Sequence, residues 1–218
     1  MSKYKAVIFD MDGTLLNSIE DITDSVNYIM DQYGFKKWTV DEIKYKVGSG
    51  AAKLIERAIP EGRDNPQFQQ ILQDYEAYYL EHCNIKTGPY NNILQMLKEL
   101  NSKGYKMAIV SNKSMDAVVE LKDKYFGEYV SVAVGVTDKL KRKPAPDECF
   151  EAMKLLGVTK DECIYVGDSE VDYQTAVNTG IPCISCMWGF RTREDLIAAG
   201  AKDNIYVDDP LEIPETLQ

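Results

Sequence analysis

Short apolar runs rich in Val and Ile alternate along this chain with segments whose apolar residues recur every three or four positions. Runs of the first kind cover residues 4–9, 106–110, 131–136, 163–166, 181–187 and 204–207, the right length for buried strands and too short for most helices. A segment of the second kind places Ile93, Leu94, Met96, Leu97 and Leu100 along one face, with Gly104 just beyond to stop the helix. A strand covered on both faces reads as a continuous apolar run, so the alternation predicts parallel strands sandwiched between helices. The expected fold class is α/β, with a doubly wound parallel-sheet (Rossmann-like) core.

Residues 19–82 depart from this rhythm. Helical patterns over 19–32, 40–47, 51–59 and 67–82 follow one another with no convincing strand between them. A strand-helix-strand crossover needs one helix, so the surplus predicts an inserted helical unit. The expected division is a core domain of residues 1–16 and 86–218 and a helical cap domain of residues 17–85. Tyr75, Tyr78 and Tyr79 are expected in the core of that cap and not as a ligand stack.

Charge and composition narrow the partners. A formal net charge of −10 argues against nucleic acid, because binding a phosphate backbone requires clustered Lys and Arg. A small phosphorylated metabolite remains compatible, since a metal ion, one lysine and backbone N–H groups can reverse the field inside a cleft. No apolar run approaches the ~18 residues needed to cross a bilayer, and the run at residues 6–9 passes straight into acids, unlike a signal peptide. Five scattered cysteines point to reduced thiols and a cytoplasmic protein, monomer or homodimer. Cys183 and Cys186 have the spacing of a redox or metal motif, yet on a strand residues three apart face opposite sides, which favours packing. With His82 the single histidine, a histidine-based metal cluster is excluded.

Three expected strands end on polar residues: Asp10 after Val7-Ile8-Phe9, Ser111-Asn112 after Ala108-Ile109-Val110, and Asp168 after Tyr165-Val166-Gly167. In open parallel sheets the carboxyl ends of the strands line the ligand crevice, so these groups should converge. Asp10-Met11-Asp12-Gly13-Thr14 taken alone reads equally well as a solvated turn or helix cap. Gly167-Asp168-Ser169-Glu170-Val171-Asp172 adds further acids, and Lys143-Pro144 adds a cation, although Lys143 also continues a solvated basic run with Lys139, Lys141 and Arg142. Like charges ~4 Å apart repel by about 4 kcal/mol at an effective dielectric near 20, so such a cluster needs a compensating cation. All-oxygen ligands beside a phosphate favour Mg²⁺ over zinc or copper.

In these motifs, and in Asp172-Tyr173-Gln174-Thr175-Ala176 and Trp188-Gly189-Phe190-Arg191, the chain resembles the haloacid dehalogenase superfamily, specifically its phosphoglycolate phosphatase-like branch with a helical cap after the first motif. The resemblance spans nearly the whole chain and implies a Mg²⁺-dependent phosphatase. It implies Asp10 as the nucleophile that becomes phosphorylated, and Asp12 as the acid and base, its main-chain oxygen helping to hold the metal. Asp168 would bind the metal directly and Asp172 would support it. Thr14, Ser111 and Asn112 would donate to phosphoryl oxygens, and Lys143 would neutralise the anions and fix Asp10. The same core also serves phosphosugar mutases, pyrophosphatases and nucleotidases, which differ in whether and from what phosphate is released. A phosphorylated signalling receiver gathers similar groups, but is shorter and carries its acceptor Asp on a mid-sheet strand, not on the first.

Within the insertion, Gly48-Ser49-Gly50 is either a plain linker or a loop that meets substrate, with Lys53 and Arg57 as candidate contacts for a substrate carboxylate.

Overall fold

The computed structural model describes residues 3–217. Its strands are β1 Ala6–Phe9, β2 Leu16–Asn17, β3 Gly88–Pro89, β4 Lys106–Ser114, β5 Val132–Val136, β6 Cys163–Gly167, β7 Cys183–Cys186 and β8 Ile205–Val207. Six of them form one sheet in the order β5-β4-β1-β6-β7-β8, and every pairing is parallel. The first strand lies inside this sheet: Ala6 to Phe9 pair with Lys106 to Ile109 on one side and with Cys163 to Val166 on the other. All four of its residues are fully buried, the physical reason for an apolar run with no alternation.

From β1 the chain winds outward through β4 to β5 and then returns to β6 on the opposite side of β1. The strand order therefore reverses beside β1, and a crevice opens at the carboxyl ends of β1 and β6. Asp10 and Asp168 leave those two ends.

Contact density divides the chain into two compact units, one comprising Pro89 onward with the segment ending at Leu16, the other Asn17–Gly88. The second crossing thus falls later than the expected one after residue 85. The inserted unit holds α1 Ile19–Gln32, α2 Val40–Lys44, α3 Ala51–Ala58 and α4 Phe68–His82. Val26, Ile29 and Met30 of α1 are buried in this unit with Leu54 and Ile55 of α3 and Ile71 of α4. Truncating such a side chain to alanine typically costs about 2 to 5 kcal/mol. Tyr75 and Tyr79 are buried as expected, whereas Tyr78 is half-buried and stacks between Tyr28 and His82 with centroids 3.8 and 3.9 Å away. Asp21 accepts backbone N–H bonds from Lys86 at 3.0 Å and Thr87 at 2.8 Å, tying the end of the insertion to its first helix.

The sheet unit adds α5 Ile93–Ser102, α6 Met115–Phe126, α7 Asp147–Leu156, α8 Glu170–Thr179, α9 Arg193–Ala198 and α10 Ile213–Thr216. Helix α5 stops before Gly104, whose φ of 81° is the left-handed conformation that terminates a helix. On one face of the sheet Ile8, Ala108, Val110 and Tyr165 pack with Cys149 and Met153 of α7 and Ala176 of α8. Strand β4 runs past the expected end at Val110 to Ser114, with a shift of register between those two residues. Such irregularities re-aim side chains, and this one carries Ser111, Asn112 and Lys113. Among the described residues no helix is long and apolar enough to cross a membrane.

Candidate active site

Asp10 follows β1 and donates its backbone N–H to Val166 of β6 at 2.9 Å, so the first carboxylate is pinned against the strand that delivers the others. Residue 13 must be glycine for two reasons. Its φ is 87°, and a Cβ there would lie 2.4 Å from Asp168 Oδ2. Gly189 approaches from the loop after β7, where a Cβ would fall 2.3 Å from Asp168 Cβ. The chain is stripped of side chains on both flanks of Asp168, which lets that carboxylate sit beside the turn after Asp10.

One oxygen from each of Asp10, Asp168 and Asp172 lies within 4.8 Å of the others, and all three residues are buried. Between two of them sits Lys143, itself only 3% exposed. Its Nζ donates to Asp10 Oδ1 at 2.7 Å, to Asp172 Oδ1 at 2.8 Å and to the Tyr165 hydroxyl at 2.9 Å. Lys143 thus belongs to this cluster and not to a solvated basic run.

The three acids are electrostatically unequal. Burial raises the pKa of Asp10 well above the ordinary range, Asp172 and Asp168 add to the rise, and Lys143 opposes it. Burial, seconded by Asp172, raises Asp168 to about 7, against the Phe190 N–H and the Arg191 charge. Asp172 is equally buried, but Lys143, Ser169 and Tyr165 outweigh the desolvation and hold it below the usual value. Its Oδ2 takes the Ser169 N–H at 3.1 Å and the Ser169 hydroxyl at 2.5 Å, as the reciprocal cap of α8. Asp172 is therefore the permanent counter-ion of Lys143. One lysine thus faces three carboxylates, and their all-oxygen donor set fits a hard divalent cation.

The remaining expected site residues lie around this core. Asp12 is partly exposed, outside the buried trio, with Oδ2 3.1 Å from the Lys113 ammonium. Thr14 is fully buried and donates its hydroxyl to Asp168 Oδ1 at 3.2 Å. Ser111 Oγ accepts the Lys113 N–H at 3.3 Å. Asn112 donates Nδ2 to the Lys143 carbonyl at 3.0 Å, fixing the backbone that bears the lysine. Thr14 thus holds one of the site's carboxylates, and Asn112 the backbone that bears its lysine.

Gly48, Ser49, Gly50, Lys53 and Arg57 belong to the inserted unit, from the loop before α3 to the last turn of that helix. There Lys53 pairs with Glu56, which also takes Arg63 Nε at 2.6 Å, while Arg57 Nη1 donates to the Lys46 carbonyl at 2.9 Å. Gly48 and Gly50 have φ of 107° and 85°, so the loop adopts a conformation that favours glycine at both positions. All five cysteines are buried thiols outside any disulfide. Cys186 Sγ lies 3.9 Å from Thr14 Oγ1, while Cys183 Sγ is 3.7 Å from the Ile184 carbonyl on its own strand.

Several contributors were not evident from sequence. The Phe190 N–H reaches Asp168 Oδ2 at 2.7 Å, and Trp188 Nε1 donates to the Thr14 carbonyl at 2.9 Å. Arg191 grips Glu170 through Nε and Nη2 at 2.7 and 3.1 Å, clamping that loop to the first turn of α8. Tyr165 and Glu148 complete the surroundings of Lys143; burial raises Glu148 to about 7, against the pull of Lys143 and Arg142. The motif Trp188 to Arg191 was a visible signal for the first group, whereas Tyr165 and Glu148 look like ordinary strand and helix residues.

Comparison with known proteins agrees with this geometry. The family model for haloacid dehalogenase-like hydrolases matches residues 7–186. Phosphoglycolate phosphatases of Pseudomonas fluorescens and Aquifex aeolicus are 30% and 27% identical over 193 and 187 residues, covering 85% of this chain in each case and 70% and 86% of the relatives. A crystal structure from Lactobacillus delbrueckii subsp. bulgaricus, of a protein provisionally assigned as a phosphoglycolate phosphatase, matches with a TM-score of 0.94 at 38% identity, covering 100% of this chain and 99% of that one. The chain belongs to the haloacid dehalogenase-like hydrolase family, in its phosphoglycolate phosphatase-like branch, and is a phosphoric monoester hydrolase.

Proposed function

We propose that the protein is a Mg²⁺-dependent phosphatase that hydrolyses a small phosphomonoester of the phosphoglycolate type through an aspartyl-phosphate formed on Asp10. The observation that carries this reading is Lys143 bridging Asp10 and Asp172 inside a buried three-carboxylate cluster. With Lys143 holding Oδ1 of Asp10, the other oxygen is left for attack on phosphorus. Asp10, Asp168 and the main-chain oxygen of Asp12 would hold Mg²⁺, with Asp172 in support. Bound there, the ion would offset the repulsion between an anionic nucleophile and an anionic phosphate.

Asp12 is the acid that protonates the departing alkoxide and the base that takes a proton from water when the acyl phosphate is hydrolysed. Ser111 donates to the phosphoryl oxygens, where transition-state charge spreads. Thr14 and Asn112 contribute through Asp168 and Lys143, the groups they hold in the structure. The strand-end groups read phosphate alone, so the inserted unit supplies discrimination among leaving groups, with residues 48–50, Lys53 and Arg57 as its candidates. The names of the relatives point to phosphoglycolate as the first substrate to try.

The test is phosphate release from phosphoglycolate, sugar phosphates, nucleotides and pyrophosphate, ranked by kcat/KM, with and without Mg²⁺, together with mass detection of a phosphorylated Asp10. Turnover that persists in EDTA would overturn the metal requirement, and transfer without phosphate release would identify a mutase.

A further inference from the structure

We propose that Tyr165 is a positioning residue for Lys143: its hydroxyl completes a three-acceptor cradle that keeps the ammonium on Asp10. The proposal rests on Asp10 being the nucleophile, as argued above.

A lysine ammonium has three N–H donors, and here each has one acceptor, at 2.7 Å on Asp10, 2.8 Å on Asp172 and 2.9 Å on Tyr165. Tyr165 also donates its own proton to Asp172 Oδ1 at 3.0 Å. The phenol is therefore an acceptor toward the cation and a donor toward the anion. No other common side chain of this shape serves both without adding charge. Phenylalanine would leave one buried ammonium donor empty, and a carboxylate would add a fourth negative group to the three already gathered there.

The position makes the role possible. Tyr165 is fully buried on β6, three residues before Asp168, on the sheet face shared with Ile8, Ala108 and Cys149. The hydroxyl lies 2.9 Å from the ammonium and 3.0 Å from the carboxylate, so the geometry gives it both roles at once. Asn112 fixes the Lys143 carbonyl from the other side, and Ser169 fixes the far oxygen of Asp172. With the lysine's backbone and counter-ion both immobilised, the Tyr165 hydroxyl decides how the ammonium is divided between Asp172 and Asp10. Without it, Nζ is free to move toward Asp172, which Ser169 holds in place, and Asp10 loses its fixed orientation.

The experiment compares Tyr165→Phe with the unaltered enzyme in single-turnover phosphorylation and steady state. The expected result is a fall in kcat and in the phosphorylation rate of about tenfold, with KM and half-saturating Mg²⁺ changed less than about twofold. In a Lys143→Met background the same substitution should add less than about twofold, because a residue acting through Lys143 has nothing left to position. Full phosphorylation rate in Tyr165→Phe, or equal fold losses in both backgrounds, would overturn the proposal. Should the variant fail to fold, nitrogen NMR of the unaltered protein still decides: the cradle requires a slowly exchanging Lys143 ammonium signal with cross-relaxation to the Tyr165 ring, and its absence overturns the assignment. An unaltered enzyme that turns over without ever labelling Asp10 would overturn the nucleophile reading and the rate claim with it, whereas a normally labelled Tyr165→Phe enzyme defeats the role of Tyr165 alone.

Discussion

The corner at the ends of β1 and β6 and the surface of α3 both gather acids and bases, but they do so under opposite rules. At the first, Asp10, Asp168, Asp172 and Lys143 are all at least nine-tenths buried, and each oxygen or N–H is assigned to a named partner or to the proposed reaction. At the second, Lys53 and Arg63 share Glu56 with side chains 42% and 62% exposed, so water can replace any partner that is lost. Buried charge is specified by geometry. Exposed charge is specified by little more than proximity, and the consequences of changing it should differ accordingly.

The largest contrast is expected at the nucleophile. Asp10→Asn keeps the shape and the acceptor for Lys143, but its amide cannot form an acyl phosphate, so turnover should fall by roughly a thousandfold or more. Melting temperature and the absence of phosphorylated protein by mass are the accompanying readouts. Retained turnover above a few per cent would remove Asp10 from the role and break the contrast at its root.

A second expected effect concerns protons and metal. In the metal-free protein Asp168 lies at about 7, so below that pH it holds a proton that a cation must displace, and Asp10 is shifted in the same direction. Mg²⁺ affinity should therefore weaken as pH falls from 8 to 6, by up to about tenfold per pH unit for each proton displaced. Calorimetry in two buffers of different ionisation enthalpy measures the proton release directly. Affinity that does not change with pH would mean that the acids are already ionised and that the buried corner is balanced without the ion.

These sites were unequally legible in the sequence. Asp10, Ser111, Asn112 and Asp168 could be found because an apolar run ends at each of them, and the carboxyl ends of parallel strands converge at a crevice whatever the side-chain details. The helices of the insertion were legible too, since α1 occupies the very residues whose apolar spacing predicted it. Tyr165 was not, because a tyrosine inside an apolar run reads as core, and only the three-dimensional meeting of β6, α8 and the Lys143 segment gives its hydroxyl two charged partners. Glu148 was hidden for a similar reason: an acid in the first turn of a helix looks like a solvated partner of the helix dipole. Asn112 was found as a polar residue after an apolar run and Thr14 through the resemblance of the Asp10 to Thr14 motif, but which group each would bond depended on Asp168 and on the Lys143 carbonyl, neither adjacent in sequence.

Glu148 offers a way to sharpen the contrast between buried and exposed charge. Its folded pKa is about 7 against an ordinary 4.5, so between those values the folded protein keeps a proton that the unfolded chain has lost. Raising the pH through that window favours unfolding, and stability should fall by about 3 kcal/mol and then level off above 7. Glu148→Gln should flatten that slope. The comparison is best made by urea titration in saturating Mg²⁺, which suppresses the parallel contribution of Asp10 and Asp168. An unchanged slope would show that the carboxylate is already compensated when ionised. For half-buried Glu56, paired with Lys53 and Arg63, no such buried proton is at stake.

The smallest effect is expected on α3, where it bears on substrate choice. If Lys53 serves a substrate carboxylate it must first leave Glu56, so the substrate gains the new contact less the old one. A charge-assisted contact made outright would change kcat/KM by tenfold or more. Competition with Glu56 reduces the net preference, and Lys53→Ala should lower kcat/KM for phosphoglycolate by about threefold relative to a neutral sugar phosphate, leaving Mg²⁺ half-saturation alone. Glu56→Gln then becomes the discriminating variant: releasing Lys53 from its partner should strengthen the preference for the acidic substrate, the opposite direction from Lys53→Ala. Parallel losses for both substrates in both variants would place Lys53 and Glu56 in the architecture of the helical unit, and the search for specificity would move to Arg57 and the loop of Gly48, Ser49 and Gly50.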